Sequence, residues 1–209
     1  MTDTDKIKIV FPVGYQVFHK KSVFNFQLNR WHSLGYTKFE DMKRVGQRIT
    51  NFNDWKREMV RLAQAALCEK RYMDAAFHYR AAEFYILERS EEKQRMYDNF
   101  SECFYRAFKG EGIERFEVPY ETVALPAIKL KTTGEKKGTI VIHGGFDSFI
   151  EEWYSPMRYF SEHGYDVIGF EGPGQGNALR KYGLAFDYRW EKPTKAVLDY
   201  FKLDAVTLL

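Results

Sequence analysis

Cysteine, proline and long apolar runs are all scarce in this 209-residue sequence. Its two cysteines, Cys68 and Cys103, exclude a disulfide-rich secreted scaffold, and we expect two buried thiols rather than a disulfide. No run approaches the ~18 apolar residues of a membrane span, and the N-terminus lacks the apolar core and cleavage site of a signal peptide. These absences predict a cytoplasmic protein without a membrane partner.

An excess of one charge sign is also missing. Lysine and arginine number 32 against 29 acidic residues, a formal net charge of +3. This balance is typical of a mixed, solvated surface and gives no support to nucleic-acid binding, so no nucleic-acid partner is predicted. No His, Cys, Asp and Glu group shows metal-ligand spacing, so neither a metal nor an organic cofactor is expected. The 44% hydrophobic and 17% aromatic content provides for a sizeable core and is compatible with a homodimer.

Residues 1–112 are predicted to form a mostly helical region. From about residue 22 to 109 the apolar residues recur at spacings of three and four, as on one face of a helix. Helix boundaries are predicted at Gly35 (a C-terminus), at Thr37 with Glu40 (a capping box), and at Asn53 and Ser90 (N-caps).

The small and aromatic residues from Ala66 to Ala82 permit two interpretations. They resemble one tetratricopeptide-type helical hairpin, which would make the region a partner-binding module. Stable arrays need about three such repeats, and small residues facing aromatic ones also serve ordinary helix packing. The partner-binding module therefore remains the alternative to a packed helical layer.

Residues 113–209 are predicted to be an α/β region. Two alternating stretches contain Pro119 and Pro126, which restrict such strands to sheet edges or strand ends. The apolar segments "TIVIH", "YDVIGF" and "DAVTLL" follow, separated by helices with Pro156 and Pro193 in their first turns. This alternation predicts βαβ units in a mostly parallel sheet, with a buried last strand that runs to Leu209.

Glycines follow the first of these apolar strands, in a segment that we call the HGG loop (residues 143–147). Glycine has no β-carbon, so the backbone can turn sharply there and approach a ligand. Backbone N–H groups left free at such a bend can stabilise a developing oxyanion. The candidate donors are the amides of Gly145 and Phe146, and a tight turn without chemistry is the alternative.

The other residues of the HGG loop are predicted to shape it. His143 and Gly144 are candidate substrate-loop residues, and we expect His143 to hold the loop by a hydrogen bond rather than to transfer protons. Asp147, the third candidate, and the neighbouring Ser148 either orient a substrate or cap the loop.

A second glycine cluster, the GPGQG turn (residues 172–176), follows the second apolar strand. No lysine follows it at Walker spacing, and its glycines do not match the dinucleotide-binding fingerprint. We therefore predict a structural turn at the rim of the site.

The ordered set "GTIVIHGGFDSF", a helix and "YDVIGFEGPGQG" resembles the α/β-hydrolase superfamily. The segments "FNFQLNRW", "AAFHYRAAEF" and "RFEVPYE" resemble its branch with a helical N-terminal region. That branch contains the fermentation-respiration-switch and pseudooxynicotine-hydrolase-like proteins, often labelled dipeptidyl aminopeptidase/acylaminoacyl-peptidase-like. The resemblance implies a cap-like region at 1–112, which would shape the substrate pocket, and the N-terminal part of a hydrolase domain at 113–209. It also implies that the HGG loop provides oxyanion donors.

The resemblance further implies a nucleophilic serine in a G-x-S-x-G elbow directly after the fifth strand, which matches "DAVTLL". None of the seven serines has glycines at both flanking positions. No triad residue is therefore assigned, and the nucleophile, acid and histidine are expected after Leu209. The sequence predicts the N-terminal portion of a serine hydrolase that cleaves an ester, amide or peptide bond of a small molecule or peptide, inactive as 209 residues. The alternative is a naturally short chain that has kept the scaffold and lost the chemistry.

Overall fold

The protein is described by a computed structural model that covers residues 7–87, 89–145 and 147–209. The chain divides into two compact units, one up to Glu111 and the other from Gly112 to Leu209. Among the helices described, none combines the length and apolar character that crossing a bilayer requires.

The described part of the first unit contains five α-helices. They are α1 (Ser22–Ser33), α2 (Phe39–Gly46), α3 (Phe52–Cys68), α4 (Tyr72–Phe84) and α5 (Glu91–Ala107).

The helix termini agree only partly with the predicted caps. Ser90 is the N-cap of α5, and its hydroxyl accepts the amide of Lys93 at 3.2 Å, as predicted. The Thr37 capping box is wrong, because the last extended residue before α2 is Lys38 and no side chain caps that helix. Asn53 is also wrong as a cap. Asn51 has the extended backbone of an N-cap and accepts the Asp54 amide at 2.9 Å, which places Asn53 inside α3.

Helix α4 is the central element of the first unit. Every residue from Asp74 to Glu83 is buried, including the small residues Ala75, Ala76 and Ala82. A helix that is buried all round must be surrounded by other elements, so these small residues serve close helix packing. Aromatic stacking adds to this core, with the rings of Tyr36 and Phe77 3.6 Å apart.

Both cysteines are free, but only Cys103 is buried. The prediction of a buried thiol at Cys68 is wrong, because this residue ends α3 and is exposed there.

The second unit is a five-stranded sheet with helices. Its strands are β1 (Glu114–Tyr120), β2 (Val123–Leu130), β3 (Gly138–Ile142), β4 (Tyr165–Phe170) and β5 (Thr207–Leu208). Its α-helices are α6 (Tyr154–Glu162), α7 (Gly176–Arg180) and α8 (Glu191–Phe201), and a 3-10 helix covers Ile150–Trp153. The strand order is β1-β2-β4-β3-β5; β2 is antiparallel to β1 and β4, and β3 is parallel to β4 and β5.

Two strand predictions need correction. Strand β2 lies inside the sheet although it contains Pro126, because its pairing with β4 starts only at Ala127 and the proline therefore needs no N–H there. Strand β5 is exposed rather than buried, because within the described chain it has only β3 as a neighbour.

The parallel pairing of β3 and β4 positions the candidate site. Because parallel strands end at the same edge of a sheet, the HGG loop after β3 and the GPGQG turn after β4 meet there.

Candidate active site

The HGG loop leaves β3 in a turn that is closed by backbone hydrogen bonds. The His143 amide donates to the carbonyl of Leu209 at 3.2 Å, and the Ser148 amide donates to the carbonyl of Gly145 at 3.0 Å. Gly144 is half-buried and Gly145 is exposed. The predicted oxyanion donor Phe146 lies outside the described residues.

Close packing requires a glycine at position 144 of the HGG loop but not at position 145. A β-carbon on Gly144 would lie 2.5 Å from Cβ of Ser148 and 2.6 Å from Nε1 of Trp153. A β-carbon on Gly145 would meet only Oδ1 of Asp147, at 3.3 Å, and neither glycine has a left-handed backbone.

The two alanine variants are therefore expected to differ in stability. Gly144→Ala should lower the free energy of unfolding by ~1–3 kcal/mol, because the buried Ser148 and the half-buried Trp153 must shift to admit the methyl group. Gly145→Ala should leave stability close to that of the wild type. Urea denaturation of both variants measures the difference, and equal midpoints would contradict the packing described.

The side chain of Gln175, in the GPGQG turn, forms hydrogen bonds that hold the HGG loop in place. Gln175 is 1% exposed, and its Oε1 accepts the Gly172 amide at 2.9 Å. Its Nε2 donates to the carbonyl of Gly145 at 3.0 Å and also to the carbonyl of Gly144. The carboxamide thus joins the ends of β3 and β4, a role that the glycine pattern of this segment, typical of a plain turn, does not indicate.

The hydrogen bonds of Gln175 use the carbonyl groups of the HGG loop and do not involve the backbone N–H of Gly145. No peptide bond of the described chain is cis, so the N–H of Gly145 points opposite to the carbonyl of Gly144, away from Gln175. Among the residues described, this N–H donates to no group, and Gly145 is exposed. It can therefore donate to a ligand.

His143 lies at the base of the loop with an exposed side chain. Its Nδ1 is 3.1 Å from the carbonyl oxygen of Gly144, and its ring lies 4.7 Å from the ring of Trp190 and 5.7 Å from that of Phe170. These contacts suit a residue that supports the loop. Asp147, the remaining predicted residue, is exposed.

A buried carboxyl group, Glu171, fixes the segments behind the loop. It is 2% exposed; its Oε1 accepts the Ile150 amide at 3.0 Å and its Oε2 the Asn177 amide at 2.7 Å. Burial first, and the nearby carboxylate of Glu151 second, raise the pKa of Glu171 to about 8. The close approach needs glycine at 176, where a β-carbon would lie 1.8 Å from Oε1 of Glu171.

A second polar cluster lies in the first unit. Asp41, Asp74 and His78 are buried, and their potential ligand atoms lie within 4.8 Å of one another. A guanidinium already lies beside both carboxylates, with Nη1 of Arg71 2.9 Å from Oδ1 of Asp74 and 3.7 Å from Oδ2 of Asp41. Burial and this cation lower the pKa of His78 to about 3. Because arginine provides the compensating charge, we assign no metal to this cluster.

An open cavity of about 380 Å³, also in the first unit, is lined by His19, Lys20 and Lys21 together with apolar and neutral residues. Nζ of Lys21 donates to the carbonyl of Thr50 at 2.7 Å. His19 contacts the carbonyl of Ile49 through Nε2 at 2.9 Å and accepts the Lys21 amide through Nδ1 at 2.8 Å. Both ring nitrogens of His19 are thus hydrogen-bonded to backbone groups.

Comparison with known proteins identifies curated hydrolases as relatives, while no family profile matches the chain. Hydrolyase ccsE of Aspergillus clavatus is 31% identical over 151 residues, which are 63% of this chain and 34% of that protein. The 20-hydroxy-prefusarin hydrolase FUS2 of Gibberella moniliformis is 34% identical over 143 residues, 62% of this chain and 33% of that protein. The chain thus spans about a third of the length of the curated relatives it matches.

Two solved structures share the fold. AbyA5 superposes with a TM-score of 0.66 at 21% identity, covering 82% of this chain and 50% of that one. The 2,6-dihydroxy-pseudo-oxynicotine hydrolase superposes with a TM-score of 0.57 at 22% identity, covering 86% and 56%. At such identities the likeness shows the fold alone. The chain therefore has an α/β-hydrolase-like fold, with a helical region that precedes a mixed five-stranded sheet.

Proposed function

We propose that this chain is the N-terminal part of a serine hydrolase and that its HGG loop stabilises the oxyanion of an acyl-transfer reaction. The observation that carries the proposal is the Gly145 amide. It lies at the carboxyl end of β3, is exposed, and donates to none of the described groups. The hydrolase names of the relatives support the same reaction class.

In the proposed reaction a serine gives up its hydroxyl proton to a base and attacks a substrate carbonyl. The tetrahedral intermediate then breaks the bond to the alcohol or amine, which leaves with that proton, and water hydrolyses the remaining acyl-enzyme to the acid and the free serine. The Gly145 amide, together with that of Phe146, donates to the negative oxygen of the intermediate. The loss of one such donor typically costs ~2.7–4 kcal/mol of transition-state stabilisation.

The register of β5 supports a nucleophile next to this loop. Leu209 lies beside β3, with its amide 3.0 Å from the carbonyl of Val141 and its carbonyl 3.2 Å from the amide of His143. Residues that follow Leu209 would therefore emerge next to the HGG loop, where a strained G-x-S-x-G elbow presents its serine.

We propose a small-molecule substrate with an ester or amide bond. A curated relative is named for 20-hydroxy-prefusarin, and a solved structure for 2,6-dihydroxy-pseudo-oxynicotine, both small organic molecules.

In this proposal the chain belongs to the branch with a helical N-terminal region, and residues 1–112 are its cap-like region. A cytoplasmic location and a homodimer stay predictions from the sequence. The partner-binding alternative gains no support, because the small residues that suggested it are buried in contacts around α4.

The experiment that tests the proposal is labelling of the full-length protein with a fluorophosphonate probe, followed by mass spectrometry. We expect one labelled serine, in a G-x-S-x-G sequence, and no label after heat denaturation or after replacement of that serine by alanine. A folded full-length protein without any labelled serine would overturn the proposal.

An ester-hydrolysis assay of the 209-residue chain alone is a second test of the proposal. We expect this chain to hydrolyse no simple ester, such as a nitrophenyl acetate, because none of its serines lies in an elbow. Turnover that persists through purification and is lost on denaturation would show that the chain has a nucleophile of its own.

A further inference from the structure

We propose that Gln175 is the positioning residue of the oxyanion loop, and this inference rests on the function proposed above. Gln175 is 1% exposed and lies behind the HGG loop, so it acts through the backbone and does not touch the substrate.

The hydrogen bonds of Gln175 require a carboxamide. Its Oε1 faces an N–H group, that of Gly172, and its Nε2 faces two carbonyl oxygens, those of Gly144 and Gly145. A carboxamide offers one acceptor oxygen and two N–H donors on one planar group, which matches this set. In place of the glutamine, an ionised glutamate would bring an acceptor oxygen against the two carbonyl oxygens, which repel it. An aliphatic side chain would form no hydrogen bond to either carbonyl.

The bonds determine where the Gly145 N–H points. Because the peptide between Gly144 and Gly145 is planar and trans, holding the Gly144 carbonyl inward turns the Gly145 N–H outward. Without Gln175 the Gly144 carbonyl keeps only the contact with Nδ1 of the exposed His143, at 3.1 Å, among the groups described. The peptide can then rotate, so that an oxygen replaces the N–H at the position where the oxyanion forms. The GPGQG turn keeps Gln175 in place, since its amide donates to the carbonyl of Gly172 at 3.0 Å and Gly174 supplies the left-handed φ of +85°.

The test uses the full-length protein with Gln175→Glu and Gln175→Leu, assayed with an ester substrate. At about pH 9 both substitutions should lower kcat ~10²-fold, the order expected for a misplaced catalytic group, with KM changed far less because the substrate does not contact Gln175. Urea midpoints of the variants report the accompanying loss of stability.

The pH profile separates positioning from simple loss of structure. In the Gln175→Glu variant the protonated carboxyl group can donate its O–H to a glycine carbonyl, whereas the ionised carboxylate cannot. The ratio of kcat for Gln175→Glu to wild-type kcat should therefore fall as the pH is raised from about 6 to about 9. The same ratio for Gln175→Leu should stay low and independent of pH.

The outcomes distinguish this inference from the proposed function. If the wild-type protein carries no fluorophosphonate-reactive serine, the function itself fails. If the wild type reacts and both variants keep wild-type kcat, or if the Gln175→Glu ratio is the same at every pH, Gln175 does not position the loop. A large stability loss in the leucine variant leaves the pH profile of Gln175→Glu as the deciding measurement.

Discussion

Replacing Gly145 by proline is expected to lower kcat of the full-length protein by ~10²–10³-fold. Proline removes the backbone N–H at the position where this amide is exposed and donates to no described group. Mutations that delete one oxyanion-hole donor reduce kcat by this factor, because the donor acts mainly in the transition state. KM for an ester substrate should therefore change far less than kcat.

Gly145→Ala is the matched control, because it adds a side chain and keeps the N–H. A β-carbon there meets only Oδ1 of Asp147, at 3.3 Å, so the variant should fold normally and keep kcat within a few-fold of the wild type. Equal losses in the proline and alanine variants would mean that the side chain and not the amide matters. Near-UV circular dichroism of both variants tests whether the proline variant has kept its fold.

The contribution of Glu171 to the free energy of unfolding is expected to fall as the pH rises from about 4.5 to about 8. The net fall is expected above about pH 6.5, because below it the lowered pKa of His78, about 3, gives the opposite slope. Burial and the charge of Glu151 raise its folded pKa to about 8 from an ordinary value of 4.5, so the folded chain holds a proton that the unfolded chain has released. A group of this kind contributes its full stability below the unfolded pKa and loses it as the pH approaches the folded pKa. The slope expected for one proton is ~1.4 kcal/mol per pH unit.

Glu171→Gln isolates this contribution, because glutamine does not titrate. Its –NH2 would face one of the two amides that Glu171 accepts, which adds a loss of stability that is independent of pH. The difference in unfolding free energy between the variant and the wild type, from urea denaturation at a series of pH values, should shift in favour of the variant as the pH rises. Glu135→Gln, at an exposed position of the same unit, should show no such trend. Parallel pH curves for wild type and Glu171→Gln would contradict a raised pKa.

The features that the sequence predicted correctly depend on local chemistry. The apolar segments of β3 and β4 and the glycines that follow them carry their own signals, since strand burial and sharp turns leave short-range patterns. The N-cap of α5 was predicted for the same reason, because Ser90 precedes two acidic residues. The caps of α2 and α3 were misplaced because several polar residues compete there, and only the backbone angles decide between them.

The features that the sequence missed depend on contacts between distant residues. Gln175 bonds to a carbonyl 31 positions earlier, and Glu171 receives an amide from Ile150, 21 positions earlier. Neither pairing leaves a periodic pattern in the sequence. A glutamine between two glycines directly after a buried strand is nevertheless a local signal that its side chain bonds to nearby backbone groups. Pro126 was misread for a similar reason, since its place inside the sheet depends on where β4 ends.

The most direct test of the oxyanion role is the crystal structure of the full-length protein after reaction with a fluorophosphonate. The phosphonyl oxygen of the adduct stands in for the oxyanion of the tetrahedral intermediate. We predict that this oxygen lies ~2.7–3.1 Å from the backbone nitrogen of Gly145, the distance at which an oxyanion donor acts. An adduct whose oxygen is held by other donors, with the Gly145 nitrogen beyond hydrogen-bonding distance, would contradict the central claim.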